Sequence, residues 1–165
     1  NFSLSRLQQL DTRWSVLARV RGQLASGNLD TSQKMYLGGA GSVSGYPLGE
    51  AGGDQGLDWT LELRRAFAPP WGGTLSGTLF YQQGRIKNHK TTWPGWQGSN
   101  PIITNHVTMK TVGVGLVQTL DQAWVLRGLV GWQLGDNAMR NPTTGATSDG
   151  STRNHRAWLQ AIRYF

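Results

Sequence analysis

The sequence predicts an all-β fold, an antiparallel meander of about seven strands that forms part of a transmembrane β-barrel. Three observations predict it: segments in which apolar and polar residues alternate, connections that are alternately short and long, and the lack of a run of about 18 apolar residues such as a transmembrane helix needs. A barrel strand needs only about 9–11 residues, half of them polar. The mean hydropathy of −0.40 is therefore compatible with a membrane protein.

The clearest strand covers residues 57–64, where four apolar residues alternate with four polar ones. The apolar set is Leu57, Trp59, Leu61 and Leu63, and the polar set is Asp58, Thr60, Glu62 and Arg64. Successive strand side chains point to opposite faces, so this strand has one apolar and one polar face. A soluble sandwich that buries the apolar face and a barrel that exposes it to lipid both fit this pattern.

Six further segments alternate in the same way, at residues 2–10, 14–24, 74–84, 107–118, 123–135 and 155–165. Arg19, Arg21 and Arg127 occupy the polar faces of two of them. An arginine that faces lipid at the middle of a bilayer costs about 2–4 kcal/mol. We therefore predict that these three arginines face an aqueous lumen.

The connections differ in length in a regular way. Residues 25–56, 85–106 and 136–154 form long loops, whereas residues 11–13, 66–73 and 119–122 form short turns. Because an antiparallel meander places alternate connections at opposite ends, all the long loops lie at one end. This asymmetry, with tryptophans near strand ends, is typical of barrels in the bacterial outer membrane. An open sheet leaves two edges unpaired, so we expect the chain to be a fragment of a longer polypeptide.

Composition and motifs argue against several other functions. The net charge of +7 is scattered rather than clustered, which does not favour nucleic-acid binding. The chain has no Cys, and His89, His106 and His155 are isolated, so we predict no metal site. The glycines near residue 45 lack the G-K-[ST] of a phosphate loop, and Val43 stands at the nucleophile position of G-x-S-x-G. We predict that the chain is not an enzyme.

The stretch from residue 28 to residue 64 resembles the outer-membrane transporters of two-partner secretion, which export haemolysins and filamentous adhesins. That family carries the pattern L-G-G-x-x-S-V-R-G-Y-P-x-G-E-A-x-G-D-x-G, followed by a strand that reads L-x-L-E-L-R. The chain matches it at Leu37-Gly38-Gly39, Ser42-Val43-Ser44-Gly45-Tyr46-Pro47, Gly49-Glu50-Ala51, Gly53-Asp54, Gly56 and Leu61-Glu62-Leu63-Arg64.

The resemblance implies that residues 1–165 are the C-terminal portion of a barrel that has sixteen strands in this family. The periplasmic POTRA domains and the first strands are absent from the chain. The implied function is translocation of an unfolded secreted exoprotein across the outer membrane, without a cofactor. The implied partners are that exoprotein, outer-membrane lipid and the barrel-assembly machinery, which reads a C-terminal signal ending here in Phe165. The alternation of the last strand leaves open which of its faces meets lipid.

The resemblance also implies a docking site for the long loop at residues 25–56, which is expected to fold into the lumen. Its motif is Val43, Ser44, Gly45, Tyr46 and Pro47, and its expected contacts on the barrel wall are Phe80, Gln82 and Gly84. In the family an Arg of the loop pairs with an Asp of the wall, but this chain has Ser44 and Gln82 at those positions. The hypothesis is that the loop docks by a weaker, neutral contact.

Two alternatives to a translocator remain open from the sequence. One is a passive outer-membrane pore or a barrel-assembly factor. The other is a soluble β-rich binding module that uses its tryptophans to bind a ligand. Whether the protein needs detergent to stay in solution separates the second alternative from the membrane-embedded ones.

Overall fold

A computed structural model describes residues 1–98, 104–120 and 123–165 of the chain. The described residues form nine strands and one short 3-10 helix, at Thr31–Gln33. The strands are β1 (Phe2–Gln9), β2 (Trp14–Gln23), β3 (Met35–Leu37), β4 (Ala51–Gly53), β5 (Gln55–Phe67), β6 (Thr74–Lys87), β7 (His106–Leu120), β8 (Trp124–Gln133) and β9 (His155–Arg163). No helix among these residues has the length and hydrophobicity that crossing a bilayer requires.

Seven of the strands form one antiparallel sheet, in the order β1-β2-β5-β6-β7-β8-β9. Each of these strands pairs with the one that follows it in the sheet, so the predicted seven-stranded meander is confirmed. The described residues form an open sheet rather than a closed barrel, and β1 and β9 are its two edges.

The strand bounds differ from the expected ones in a few places. The central strands are longer than predicted, because β5 continues to Phe67 and β6 to Lys87. Thr119 and Leu120, predicted to lie in a turn, belong to β7. Residues 121–122 of that predicted turn, and residues 99–103 of the predicted loop at 85–106, lie outside the described residues. The last strand ends at Arg163 rather than at residue 165.

The loop between β2 and β5, predicted at residues 25–56, covers residues 24–54 in the structure, because Gln55 and Gly56 already belong to β5. It contains the short hairpin β3–β4, in which Leu37 pairs with Ala51. The hairpin was missed because each strand has only three residues, too few for alternation to be visible. Pairing these strands brings the two ends of residues 38–50 together, so this segment projects as a compact unit, which we call the docked loop.

The docked loop covers one face of the seven-stranded sheet, and burial therefore alternates along the central strands. In β6 and β7 the side chains on the covered face are buried, whereas their neighbours on the other face are more exposed. We call the covered side the loop face and the other the open face. The buried apolar core lies between the β3–β4 hairpin, the docked loop and the loop face, and consists of Leu37, Val43, Tyr46, Ala51, Ile86, Val107 and Met109.

Candidate functional site: the docked loop and its wall

The tip of the docked loop is enclosed by the sheet, with residues 42–47 all buried. Tyr46 is 0% exposed and is the largest fully buried side chain among the described residues. Its hydroxyl accepts a hydrogen bond of 3.4 Å from the N–H of Lys110 in β7. Tyr46 is thus an apolar anchor with one polar contact, and the core packs around its ring.

Ser44 and Gln82, which stand where the family has an Arg and an Asp, are in direct contact. The N–H and the hydroxyl of Ser44 both donate to Oε1 of Gln82, each at 2.8 Å. Ser44 is 0% exposed and Gln82 is 5% exposed, so these hydrogen bonds are shielded from water. A single amide oxygen therefore accepts both donors of Ser44.

Gly45 continues this contact onto the next two strands. Its N–H donates to Oγ1 of Thr111 in β7 at 3.2 Å, and its carbonyl accepts from Nε2 of Gln133 in β8 at 2.9 Å. The two backbones approach closely because the wall presents Gly131 there. A Cβ atom on Gly131 would lie 2.9 Å from the Gly45 nitrogen and 2.8 Å from Oγ of Ser44.

Trp158 of β9 completes the wall, since its Nε1–H donates to the Ser44 carbonyl at 2.8 Å. This contact places Trp158 on the loop face. Leu159 and Phe165 therefore lie on the open face, where Leu159 is 90% exposed. The orientation of the last strand, which alternation left open, is fixed by this one hydrogen bond.

The other two expected wall residues have different roles. The Leu37 side chain packs directly on Gly84, where a Cβ atom would lie only 2.6 Å from Leu37 Cδ1. Phe80 is buried and packs over Gly113 of the neighbouring strand, where a Cβ atom would lie 2.2 Å from the Phe80 ring. Of the three, Gln82 alone hydrogen-bonds to the loop tip among the described contacts.

The three arginines predicted to face a lumen all lie on the loop face. Arg21 forms an ion pair of 2.6 Å with Asp58, whose Oδ2 also accepts the Ser42 hydroxyl at 2.8 Å. Arg19 and Arg127 line an open chamber of about 410 Å³ beside the docked loop, on the side of the short turns. Glu62 and Arg64 also line this chamber and pair with each other at 2.6 Å.

Asp54 is a site residue that sequence reasoning passed over. Its carboxylate is 0% exposed, pairs with Lys34 at 3.2 Å, and accepts the N–H of Leu29 at 3.2 Å and of Lys90 at 2.7 Å. Burial raises the pKa of Asp54, but these hydrogen bonds and Lys34 outweigh it and hold the pKa below its usual value. Asp54 thus joins residues 24–54 to the loop that follows β6.

Glu50 has a corresponding role toward the loop between β8 and β9. Its Oε1 accepts from Nδ2 of Asn137 at 2.7 Å, and its Oε2 accepts from the N–H of Ser148 at 2.9 Å. Glu50 and Asp54 were visible in the motif, but their partners are far away in sequence. Spacing along one chain gave no signal for these contacts.

We expect a measurable loss of docking when Gln82 is replaced by Leu. Leu is similar in size but offers no acceptor, so the Ser44 N–H and hydroxyl are left buried without a partner, at a cost of about 1–3 kcal/mol. Hydrogen exchange at the Ser44 amide measures the effect. Gln83→Leu, one residue away on the open face, is the matched control and should leave that exchange unchanged. Equal exchange in the two variants would contradict the assigned contact.

Comparison with known proteins gives matches along the whole chain. All 165 residues align with the heme/hemopexin transporter protein HuxB of Haemophilus influenzae at 29% identity. HuxB proteins of the strains KW20/Rd and 86-028NP align over the same length at 28% identity. The chain spans 26% of the length of these curated relatives. No protein-family model matches the chain, and no solved structure matches it.

The alignment, which covers the whole of this chain, and the loop motif both indicate similarity to transporters. The chain is a distant homologue of the HuxB transporter proteins.

Proposed function

We propose that this chain is the C-terminal portion of an outer-membrane β-barrel that translocates a secreted exoprotein by two-partner secretion. The observation that carries the proposal is the homology to HuxB, a protein named as a transporter, over the whole of this chain. The docked loop supports it, because it presents the motif residues 43–47 to one face of the sheet. The loop face is then the channel wall.

The open face supports a position in lipid. Large apolar side chains project from it with no described element covering them, including Leu61 at 47%, Leu79 at 54% and Leu116 at 57% exposure. A soluble protein rarely exposes a contiguous apolar surface of this extent. Lipid contact explains this face without a further domain, which favours the barrel over a soluble binding module.

The two sheet edges support a larger barrel. β1 and β9 each pair with a single neighbour, so each has one side of unpaired N–H and C=O groups. Such groups are not tolerated in hydrocarbon, because each costs several kcal/mol when unsatisfied. We propose that strands outside this chain pair with both edges and close the barrel.

Docking of the loop inside the barrel bears on the choice between a translocator and a passive pore. Gln82 and Thr111 accept hydrogen bonds from the tip, and Gln133 and Trp158 donate hydrogen bonds to it, so the docked loop occupies the space beside this part of the wall. An unfolded polypeptide then passes beside the loop, through the side that Arg19 and Arg127 line, or passes when the loop moves. An unobstructed solute pore fits this arrangement less well.

The proposed cargo is an unfolded secreted exoprotein. The name of the relatives refers to heme and hemopexin, and at 28–29% identity we do not transfer that ligand to this chain. We propose outer-membrane lipid and the barrel-assembly machinery as the other partners. Phe165, exposed on the open face beyond the end of β9, is the proposed assembly signal.

Deletion of the gene in the source bacterium tests the proposal. Mass spectrometry of the culture medium should show the loss of one or a few large exoproteins, and complementation with the intact gene should restore them. A passive pore predicts an unchanged set of secreted proteins and slower uptake of small solutes. An unchanged set in the deletion strain, with the protein produced in the parent, would contradict the proposed transport.

A further inference from the structure

The short-turn end of the open face carries the same arrangement of side chains twice. Trp14 begins β2 and pairs with Arg65 near the end of β5. Trp124 begins β8 and pairs with Arg163 at the end of β9. In each case a phenylalanine follows two residues after the arginine, on the same face, at Phe67 and Phe165. The unit is therefore a Trp at a strand start beside Arg-x-Phe at the end of the next strand in the sheet.

Each arginine lies against two aromatic rings. The Arg65 guanidinium carbon is 5.2 Å from the ring centroid of Trp14 and 5.2 Å from that of Phe67. The Arg163 guanidinium carbon is 5.4 Å from Trp124 and 4.8 Å from Phe165. These are cation–π distances, and such contacts limit the conformations of a long, flexible side chain. No described residue accepts a hydrogen bond from either guanidinium, so the N–H groups in its plane can bind an added acceptor.

Neither guanidinium has an acidic partner in the described part of the chain. Arg21, Arg64 and Arg156 each form an ion pair with a carboxylate, whereas Arg65 and Arg163 form none with the described residues and are exposed. The carboxylate near Arg65 is Asp11. Its pKa is lowered mainly by the N–H groups of Arg13 and Trp14, with a smaller contribution from the charge of Arg65. Both arginines therefore present charge toward the surroundings of the open face.

We infer that Arg65 and Arg163 each bind the phosphate of an anionic phospholipid in the leaflet on the short-turn side. The inference rests on the proposed function, in which the open face meets lipid. Because outer-membrane barrels have short turns on the periplasmic side, this leaflet is the periplasmic one. Aromatic girdles lie at headgroup level, and a guanidinium binds phosphate with two parallel hydrogen bonds. Three strand spacings separate β5 from β8, about 14 Å, so the two units take two separate lipids.

Lipid binding to the full-length protein tests this site directly. Native mass spectrometry in detergent, with phosphatidylglycerol added as the probe, measures lipid retained by the parent and by R65Q/R163Q. We expect roughly tenfold weaker binding in the double variant, because a charge-assisted guanidinium–phosphate contact is lost at each site. R65K/R163K keeps the charge without the planar fork, and we expect intermediate binding. Arg6→Gln is the matched control, an exposed arginine on the open face with no aromatic unit.

Loss of phosphatidylglycerol in R65Q/R163Q with retention in Arg6→Gln supports the two sites. Equal retention in R65Q/R163Q and the parent, or an equal loss in Arg6→Gln, overturns them. If R65Q/R163Q fails to fold, binding by R65K/R163K equal to that of the parent likewise overturns them. This experiment measures lipid binding and not secretion. A failure of exoprotein transport would refute the proposed function, whereas a failure of lipid binding would refute only the two lipid sites.

Discussion

Replacing Tyr46 with alanine should release the tip of the docked loop from the wall. Tyr46 is fully buried in the core between the loop and the sheet, where it packs with Leu37, Ile86 and Met109. Truncating a large buried aromatic side chain costs about 3–5 kcal/mol, because a cavity remains where the ring was. The hydrogen bonds of Ser44 and Gly45 depend on the same seating. We therefore expect hydrogen exchange across residues 42–47 to rise strongly.

Two further variants provide controls, one at Tyr46 itself and one at Tyr36 in the neighbouring strand β3. Tyr46→Phe keeps the ring and removes one long hydrogen bond, so it should change the exchange little. Tyr36→Ala truncates a tyrosine that is 40% exposed and should leave the tip protected. Unchanged protection of residues 42–47 in Tyr46→Ala would show that Tyr46 does not hold the loop in place.

The second large effect is expected for Asp54→Ala, which should weaken the attachment of the loop that follows β6 to residues 24–54. The substitution leaves Lys34, whose side chain is only 12% exposed, without its ion-pair partner. It also leaves the N–H groups of Leu29 and Lys90 without their acceptor. Breaking a buried ion pair by removing one member costs about 3–5 kcal/mol. Hydrogen exchange at the Leu29 and Lys90 amides should rise together.

Asp30→Ala supplies the control, since Asp30 is an exposed carboxylate of the same loop with no side-chain capping bond. It should leave both amides protected. If Asp54→Ala also left them protected, the carboxylate would not contribute to the attachment between the loops.

The same carboxylate gives the loops a defined pH response. The pKa of Asp54 in the folded protein lies below its unfolded value, which is near 3.9. Its contribution to stability is therefore fully present above that value and is lost as the pH falls through the folded pKa. Protection factors at Leu29 and Lys90 should be constant from pH 7 to about pH 5 and should fall below about pH 4.

The meander was predictable from sequence because alternation and connection length are local properties. Residues 57–64 show both faces of β5 directly, and the register of the neighbouring strands follows from the short turns. The ends of the strands were less predictable. β6 continues through Arg85, Ile86 and Lys87, where a polar sequence pairs with β7 and Ile86 is buried under the loop. The alternation of this extension becomes visible only when the hairpin and docked loop that bury Ile86 are known.

Some contacts of the candidate site were predictable from the sequence and others were not. Ser44 and Gln82 were paired from a family resemblance, and the structure brings them together. Thr111 and Gln133 were not selected, because a threonine and a glutamine on the polar face of a strand look like any other wall residues. Gly131 was missed for a related reason, since a glycine in a strand shows its purpose only when the opposing backbone is known.

The central claim is that the open face meets lipid and the loop face encloses an aqueous channel. Leu79 and Thr78 are adjacent in β6 and lie on opposite faces, and the chain has no native Cys. Each is replaced by cysteine, labelled with an environment-sensitive fluorophore, and measured in the full-length protein in vesicles. We expect brominated phospholipid to quench the label at Leu79 and aqueous iodide to quench the label at Thr78. Quenching of Thr78 by brominated lipid and of Leu79 by iodide would contradict the account.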